Sequence, residues 1–331
     1  MRRVFAPGRV NLIGEHTDYS GGLVLPMAIQ LGTTVEFEPG GDIVHLVSAD
    51  EPLPAVTPIE VADVAADEPA WARLVAAVVA EVGPSVGGQG SVSTTLPIGA
   101  GLSSSASLEV AVALALGFEG SALELALLCQ RAERRAWGVP CGIMDQLASA
   151  AGAAGHALLI DCTTNSAIPV AIPEEADILA VHSGQTRTLA GSAYADRRAA
   201  CEQAAAIIGP LRDASPADLA RIDDPVVRSR ARHVVNESAR TLAFVEALHG
   251  GELESAGRLM TESHASLRDD FEVSTPILDA LVDRLAQTSG VLGVRLTGAG
   301  FGGCVVVLCE RGAVTEGWRL MPSDGANAEE M

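Results

Sequence analysis

Three short stretches hold the residue types that bind anions, contact polyols or move protons. The first is Pro97-Ile98-Gly99-Ala100-Gly101-Leu102-Ser103-Ser104-Ser105-Ala106-Ser107. Glycines between a strand and a helix let the backbone approach a ligand closely. The first helical N–H groups, with the helix dipole behind them, suit a phosphate. The serine hydroxyls add donors, one of which could reach a metal ion. A Gly/Ser-rich turn that merely caps a helix would look the same. The second stretch, residues 6–22, holds Glu15, His16 and Asp18 between apolar strands. Acceptors and a donor at such short spacing are what several sugar hydroxyls need. A metal site on His16 and two acids, or a solvated polar turn, are the alternatives, although no HExxH pattern occurs. The third, residues 138–146, places Asp145 among Ile143, Met144 and Leu147. A carboxylate there is paired or its pKa rises; a helix N-cap is the plainer reading.

The elements that would position these loops are readable in outline. The opening segment reads as a short strand, a polar loop from Gly14 to Gly22, and an apolar strand LVLPMAI. Residues 33–48 suggest a strand pair around Pro39-Gly40-Gly41, and Ser91–Leu96 alternates like a strand. A helix fits Pro69 to Val82, with Trp71, Leu74, Val75, Val78 and Val79 on one face. Ser103–Ser105 open the next helix, and Ser121 with Glu124 forms a capping box for another, which carries Glu133. Residues 156–162 read as a strand, and a domain boundary is expected in the proline-marked stretch after it. Ser192–Ile208 reads as one long helix, and Ser215-Pro216 and Thr275-Pro276 as helix starts. In the last, Ile277, Leu278, Leu281, Val282 and Leu285 form a core stripe. VLGVRLTGAGFGGCVVVLCE reads as strand, glycine loop, strand.

Composition excludes several classes. The 331 residues, 48 % hydrophobic, build a packed core with only 3 % aromatics. A formal net charge of -20 disfavours nucleic acid and anionic lipid. All 22 basic residues are Arg, and Lys is absent. That rules out a P-loop, a protein kinase, Schiff-base chemistry and pyridoxal chemistry, each of which needs a Lys. A phosphate ligand would have to be held by backbone N–H groups and a divalent cation. The six cysteines form no CxxC pair, consistent with reduced thiols in a cytoplasmic protein. The start, MRRVFAPGRVNLIG, lacks the apolar run of a signal peptide, and no stretch reads as a membrane span.

PGRVNLIGEHTDYSGG, LPIGAGLSSSAS, GVPCGIMDQ and LTGAGFGGCVVVL, in this order, resemble the galactokinases of the GHMP sugar and metabolite kinase superfamily. SGQTRTLAGSAYADRRAACE and RARHVVNESARTLAFVEAL resemble the same family. The resemblance implies an α+β chain of two domains with the active site in the cleft between them. Residues 1–168 would be a ribosomal-S5-like N-terminal domain and 169–331 a ferredoxin-like C-terminal domain. ATP and Mg²⁺ are implied as cofactors and galactose as the substrate, in a monomer or, alternatively, a dimer. By motif, Pro97, Gly99, Gly101, Leu102, Ser103, Ser104, Ser105, Ala106 and Ser107 would hold the ATP phosphates, and Ser105 and Glu133 the Mg²⁺. Glu15, His16, Asp18, Gly142, Asp145 and Tyr194 would contact the sugar. Arg9 and Asp145 would be catalytic: Asp145 orients the C1 hydroxyl and takes its proton, while Arg9 keeps it ionised. An ionised carboxylate is a weak base, so positioning is its larger expected role.

The chain departs from the family pattern in places. It begins almost at APGRV, where the family has an extension. Arg134-Arg135-Ala136-Trp137 stands where an acidic and aromatic stretch is common, and Ser20 replaces a frequent Asn. After CVVVL a helix–strand unit is compressed, which leaves the last strand of the second domain open. Arabinose, N-acetylgalactosamine or a heptose as acceptor is the alternative within the superfamily, whereas GEHTDY argues against mevalonate. A regulator that binds ATP and galactose without turnover is the alternative from another class, and the full-length GLSSSAS loop argues against it.

Overall fold

The N-terminal strand, β1 (Arg2–Asn11), is followed by a short strand β2 (Leu23–Val24), the long β3 (Pro26–Pro39), β4 (Ile43–Ser48) and β5 (Ala55–Pro58). Then come α1 (Ala70–Val82), β6 (Gly88–Thr94), α2 (Ser104–Ala115), α3 (Ala122–Trp137), α4 (Met144–Ala151), β7 (His156–Asp161) and β8 (Ser166–Ala171). The second half comprises β9 (Ala176–His182), α5 (Gly191–Ile208), α6 (Pro225–His249), α7 (Leu253–Asp269), α8 (Pro276–Ala286), β10 (Val291–Leu296), β11 (Cys304–Glu310), β12 (Trp318–Leu320) and β13 (Asn327–Glu330). This computed structural model describes all residues except 62–63, 65–68, 98, 139–140 and 187–190, and only the backbone of 191 and 192. Ile98 of the first loop and Val139-Pro140 of the third therefore lie outside the described residues.

The first sheet has the order β13-β1-β3-β6-β4-β5. Its inner face buries Val4, Val35, Phe37 and Leu46 against Val75, Val78, Val110 and Leu128 of α1, α2 and α3. The whole apolar stripe of α1 is buried, as its spacing indicates. At the start of α3, Ser121 Oγ accepts from Glu124 N and Glu124 returns the bond, the expected capping box. The strand pair expected over 33–48 does not form, because β6 lies between β3 and β4. The Pro39–Asp42 turn instead crosses the lead into β6, where Gly40 N donates to Gly87 O at 2.9 Å. The LVLPMAI segment splits at Leu25: β2 joins a small sheet, β2-β7-β8, and β3 the large one.

A second, four-stranded antiparallel sheet has the order β10-β11-β9-β12. This is the ferredoxin-like strand order, with β12 present although residues 311–317 replace the usual crossover helix. The short crossover hugs β9: a Cβ on Gly317 would lie 2.3 Å from Ala180 O. Buried Asp177 anchors it, accepting from Gly312 N at 3.0 Å and pairing with Arg319 at 2.7 Å. Helices α5, α6 and α8 cover this sheet with Ala204, Ala231, Leu281 and Leu285. Ser215-Pro216 leads into only a short 3₁₀ helix, Asp218–Arg221, with Asp218 accepting from Ser215 N and Oγ; the long helix begins at the Asp224 N-cap and Pro225. Ile277 is exposed and leaves the expected α8 stripe to Leu278, Leu281, Val282 and Leu285.

The two halves share a core. Val10, Ile13, Leu25 and Leu102 pack with Ile178, Phe244, Met260 and Val306 in one cluster. The cut expected between 168 and 169 falls inside β8, and β13 returns to pair with β1. That pairing covers the edge that β1 would otherwise expose, so the final residues pack with the first half.

Candidate active site

Arg9 owes its aim to an interruption in β1. The β1–β3 register shifts between Pro7 and Arg9, and such a bulge redirects the side chain that follows it. Gly8 is needed there, because a Cβ would lie 2.5 Å from Leu102 O. Arg9 N then donates to Leu102 O at 3.1 Å, and Arg9 Nη1 donates to Gly101 O at 2.8 Å, so β1 holds the glycine-serine loop from below. The other two guanidinium nitrogens grip Asp145 as a fork, Nε to Oδ1 and Nη2 to Oδ2, both at 2.8 Å. Asp145 stands in the first turn of α4, where the dipole favours a carboxylate. It is not the N-cap; Ile143 is. Ser149 on the same helix donates to Pro7 O at 2.7 Å and locks α4 against β1.

The glycine-serine loop turns through Gly99 and Gly101, whose φ angles of 73° and 78° favour glycine. Ser103 is the N-cap of α2 with a φ of 59°, and its hydroxyl donates to Asp145 Oδ2 at 2.5 Å instead of capping the helix. The first N–H groups of α2, at Ser104, Ser105 and Ala106, are thus left for an anion. Gly303 packs against this loop from the second half: a Cβ there would be 3.2 Å from Ala100 O. The side chains of Leu102 and Ala106 are buried in the core. Ser107 is buried too, its hydroxyl donating to Ala6 O at 2.7 Å and accepting from Thr33 N at 3.0 Å, so it ties α2 to β1 and β3.

The loop after β1 lies alongside. His16 has a φ of 62°, a strained conformation for a residue with a Cβ. Its Nδ1 lies 3.0 Å from Tyr19 Oη and its Nε2 lies 3.2 Å from Ala299 O. The Ala299 carbonyl can only accept, so Nε2 carries the proton between them. Both tyrosines of the chain are here: Tyr19 and Tyr194 meet edge to face at 5.6 Å, and Tyr194 is 5.8 Å from His16. Asp18 touches Gly142 so closely that a Cβ there would be 1.6 Å from Oδ2. Burial and the neighbouring Asp145 charge push the Asp18 carboxyl up to about 7. Glu15 is sealed beneath, its carboxylate bonded to Arg295, Thr297, Gly298 and Asn11.

Glu133 reaches the same place from α3. Ser105 Oγ donates to its Oε1 at 3.4 Å, and Gln146 Nε2 donates to Oε2 at 2.7 Å and to Glu109 Oε2 at 3.1 Å. Burial pushes both glutamates up, with the Glu133 charge adding to the shift at Glu109. A hydroxyl and a carboxylate beside a phosphate site fit Mg²⁺, which takes one or two protein oxygens plus phosphates and waters. Among the described residues no group of three or more His, Cys, Asp or Glu could cage a metal, so the nucleotide would have to complete the shell. The excess of carboxylates (Asp18, Glu109, Glu133 and Asp145) over Arg9 fits a bound cation as well.

The galactokinase galactose-binding signature matches residues 2–39, the GHMP kinase N-terminal domain 71–153, and the GHMP kinase C-terminal domain 244–325. The human galactokinase is 44 % identical over 96 % of this chain and 86 % of its own length. The galactokinase of Roseiflexus sp. (strain RS-1) is 45 % identical over 94 % and 84 %. The chain belongs to the galactokinase family. Its fold superposes on Lactococcus lactis galactokinase, solved with galactose, at a TM-score of 0.92 and 32 % identity, covering 98 % of this chain and 94 % of that one. A mevalonate kinase shares the fold at a TM-score of 0.68 and 23 % identity, covering 94 % of this chain and 92 % of that one.

Like the rest of its family, this chain is a phosphotransferase. Arg9, Asp145, Ser103 and Gly101 meet directly, as do Ser105 and Glu133, and Asp18 and Gly142. Sequence reasoning missed Gln146, Glu109 and Arg295. For Arg295 there was a signal: a lone charge between Val294 and Leu296 in an otherwise apolar strand. Gln146 and Glu109 carried none, since their contacts join α2, α3 and α4 only in space. Arg134, one of the departures from the family pattern, donates to Cys141 O at 2.8 Å and steadies the approach to Gly142.

Proposed function

We propose that the chain transfers the γ-phosphoryl group of ATP to the C1 hydroxyl of α-D-galactose, giving α-D-galactose 1-phosphate and ADP. The observation that carries this reading is the forked Arg9–Asp145 pair, bonded at once to the glycine-serine loop and to Ser103. Phosphoryl transfer depends on in-line placement and on stabilising charge more than on covalent help. The α2 N–H groups and the Ser104 and Ser105 hydroxyls hold the phosphates. Ser105 and Glu133 would hold Mg²⁺, whose charge would offset that of the phosphates in a chain without Lys. Asp145, fixed by three donors, accepts the hydrogen bond of the C1 hydroxyl and aims its oxygen; the proton passes to it late in a loose transfer. Asp18, His16, Tyr194 and the Gly142 backbone line the sugar, with Glu15 behind them. No helix among the described residues is long and apolar enough to cross a membrane. A cytoplasmic enzyme that acts as a monomer agrees with this reading.

Phosphorus NMR of the product from ATP plus galactose tests the proposal. An anomeric phosphate doublet of the α form is expected, with activity abolished by EDTA and restored by Mg²⁺. Nucleotide binding by calorimetry should weaken without Mg²⁺. A sugar panel in which arabinose, N-acetylgalactosamine or a heptose outpaces galactose would reject the acceptor assignment.

A further inference from the structure

We infer that Arg295 is a positioning residue for the sugar-binding loop, acting through Glu15. Arg295 is the largest fully buried side chain among the described residues, and it is charged. It rises from β10, in the second half of the chain. Nη2 donates to Glu15 Oε2 at 2.8 Å, and Nη1 donates to Asn11 O at 3.3 Å at the end of β1. The segment that follows completes the grip: Thr297 Oγ1 shares its one proton between Asn11 O at 3.1 Å and Glu15 Oε1 at 3.2 Å, and Gly298 N donates to Glu15 Oε1 at 2.6 Å. Three of the four donors to this carboxylate thus come from the second half, and Asn11 alone from the first.

The arrangement is a poor device for stability. Both side chains are sealed, at 0 % and 2 % exposure, and Arg295 Nε has no hydrogen-bond partner among the described residues. Replacing a buried pair by apolar residues of similar volume is often neutral or stabilising. Its effect is geometric. A guanidinium delivers its N–H groups in fixed directions that a Lys ammonium cannot reproduce. Here they hold Glu15 immediately before His16, whose strained φ of 62° persists only if its neighbours over-determine it. His16 Nε2 meets Ala299 O at 3.2 Å, two residues beyond Thr297, so the same segment grips the loop again. Asp18 follows on that loop, against Gly142. Loss of the Arg295 fork removes one of the four donors to Glu15 and loosens the loop, which His233 still holds at Glu15 O at 3.0 Å, while the glycine-serine loop keeps its own tie to Arg9.

This inference rests on galactose being the acceptor. The test is calorimetric titration of the full chain with galactose, and separately with Mg²⁺ and a non-hydrolysable ATP analogue. Arg295→Lys keeps the charge and loses the fork. Its galactose affinity should fall roughly tenfold or more, the scale of a hydrogen bond to a charged group. Its nucleotide affinity should fall clearly less than its galactose affinity, because Arg9 ties the glycine-serine loop directly to β1 while the 297–303 segment only packs against it. Should Arg295→Lys fail to fold, Thr297→Val, which removes one donor without a charge change, must show the same selective loss at smaller size. Unchanged galactose affinity, or equal weakening of both ligands, overturns the assignment. A parent chain that binds no galactose overturns the acceptor reading and this inference together; a parent that binds it while the variants match the parent sinks this inference alone.

Discussion

Two arginine–carboxylate pairs hold the site and differ in geometry and in solvent access: Arg9 grips Asp145 with two parallel bonds, whereas Arg295 gives Glu15 one and Asn11 O the other. Arg9 is 3 % exposed and its partner Asp145 30 %, whereas Arg295 and Glu15 are 0 % and 2 %. Each joins residues far apart in sequence, 136 positions in the first and 280 in the second. The half-open pair leaves a carboxylate face toward the cleft, where an incoming hydroxyl can reach it. In the sealed pair every Glu15 oxygen already accepts from protein donors, so its carboxylate transmits position. The same ion pair can therefore serve chemistry or architecture, and the exposure of the carboxylate decides which.

The comparison breaks first on Asp145. Asp145→Asn should lower kcat by about a hundredfold or more, within the 10²–10⁴ range of general-base effects, with a smaller loss of stability than the sealed pair shows, because Asp145 is 30 % exposed. Near-normal turnover in a pure preparation would place this pair with the architectural one. Glu15→Gln is the counterpart. It leaves Arg295 buried without a counter-charge, and denaturant unfolding should record a loss of about 3–5 kcal/mol. A variant as stable as the parent would mean that the pair opens to solvent.

A smaller effect should separate the loop from both pairs. Asp18 carries a carboxyl held at about 7 in the fold against 3.8 ordinarily, by burial first and the Asp145 charge second. An acid whose pKa rises on folding binds its proton more tightly in the folded chain. Its contribution is fully present below about 4 and is lost as pH climbs through about 7. Asp18→Asn should raise the melting temperature more at about pH 8 than at about pH 5; an equal shift at both would assign no such titration to Asp18. The smallest effect belongs to an exposed pair. Glu330→Gln removes the partner of Arg2 on β13, at 71 % exposure, and should change stability by less than about 1 kcal/mol. A larger loss in urea titrations would show that β13 does more than cover an edge.

Local chemistry made much of the scaffold legible. The α1 stripe, the capping box at Ser121 and the Thr275 cap depend on residues within a few positions of each other, and all three appear where the pattern puts them. The strand pair over 33–48 failed because β6, some forty residues later, fits between its two members. Ser215-Pro216 opens only the short 3₁₀ helix Asp218–Arg221, which ends at extended Ile222. In the candidate site, loop identities were readable from residue type, whereas contacts that cross between helices were not.

Sequence by itself determined the family, the absence of Lys-dependent chemistry, and the three loops with their donors, because glycine spacing, capping residues and charge are properties of neighbouring residues. Tertiary structure alone decided that Ser107 ties helix to strand, that Gln146 bridges Glu109 and Glu133, and that Glu15 is gripped by Arg295. Those assignments depend on which side of a buried surface each group faces, and burial is set only when distant segments pack.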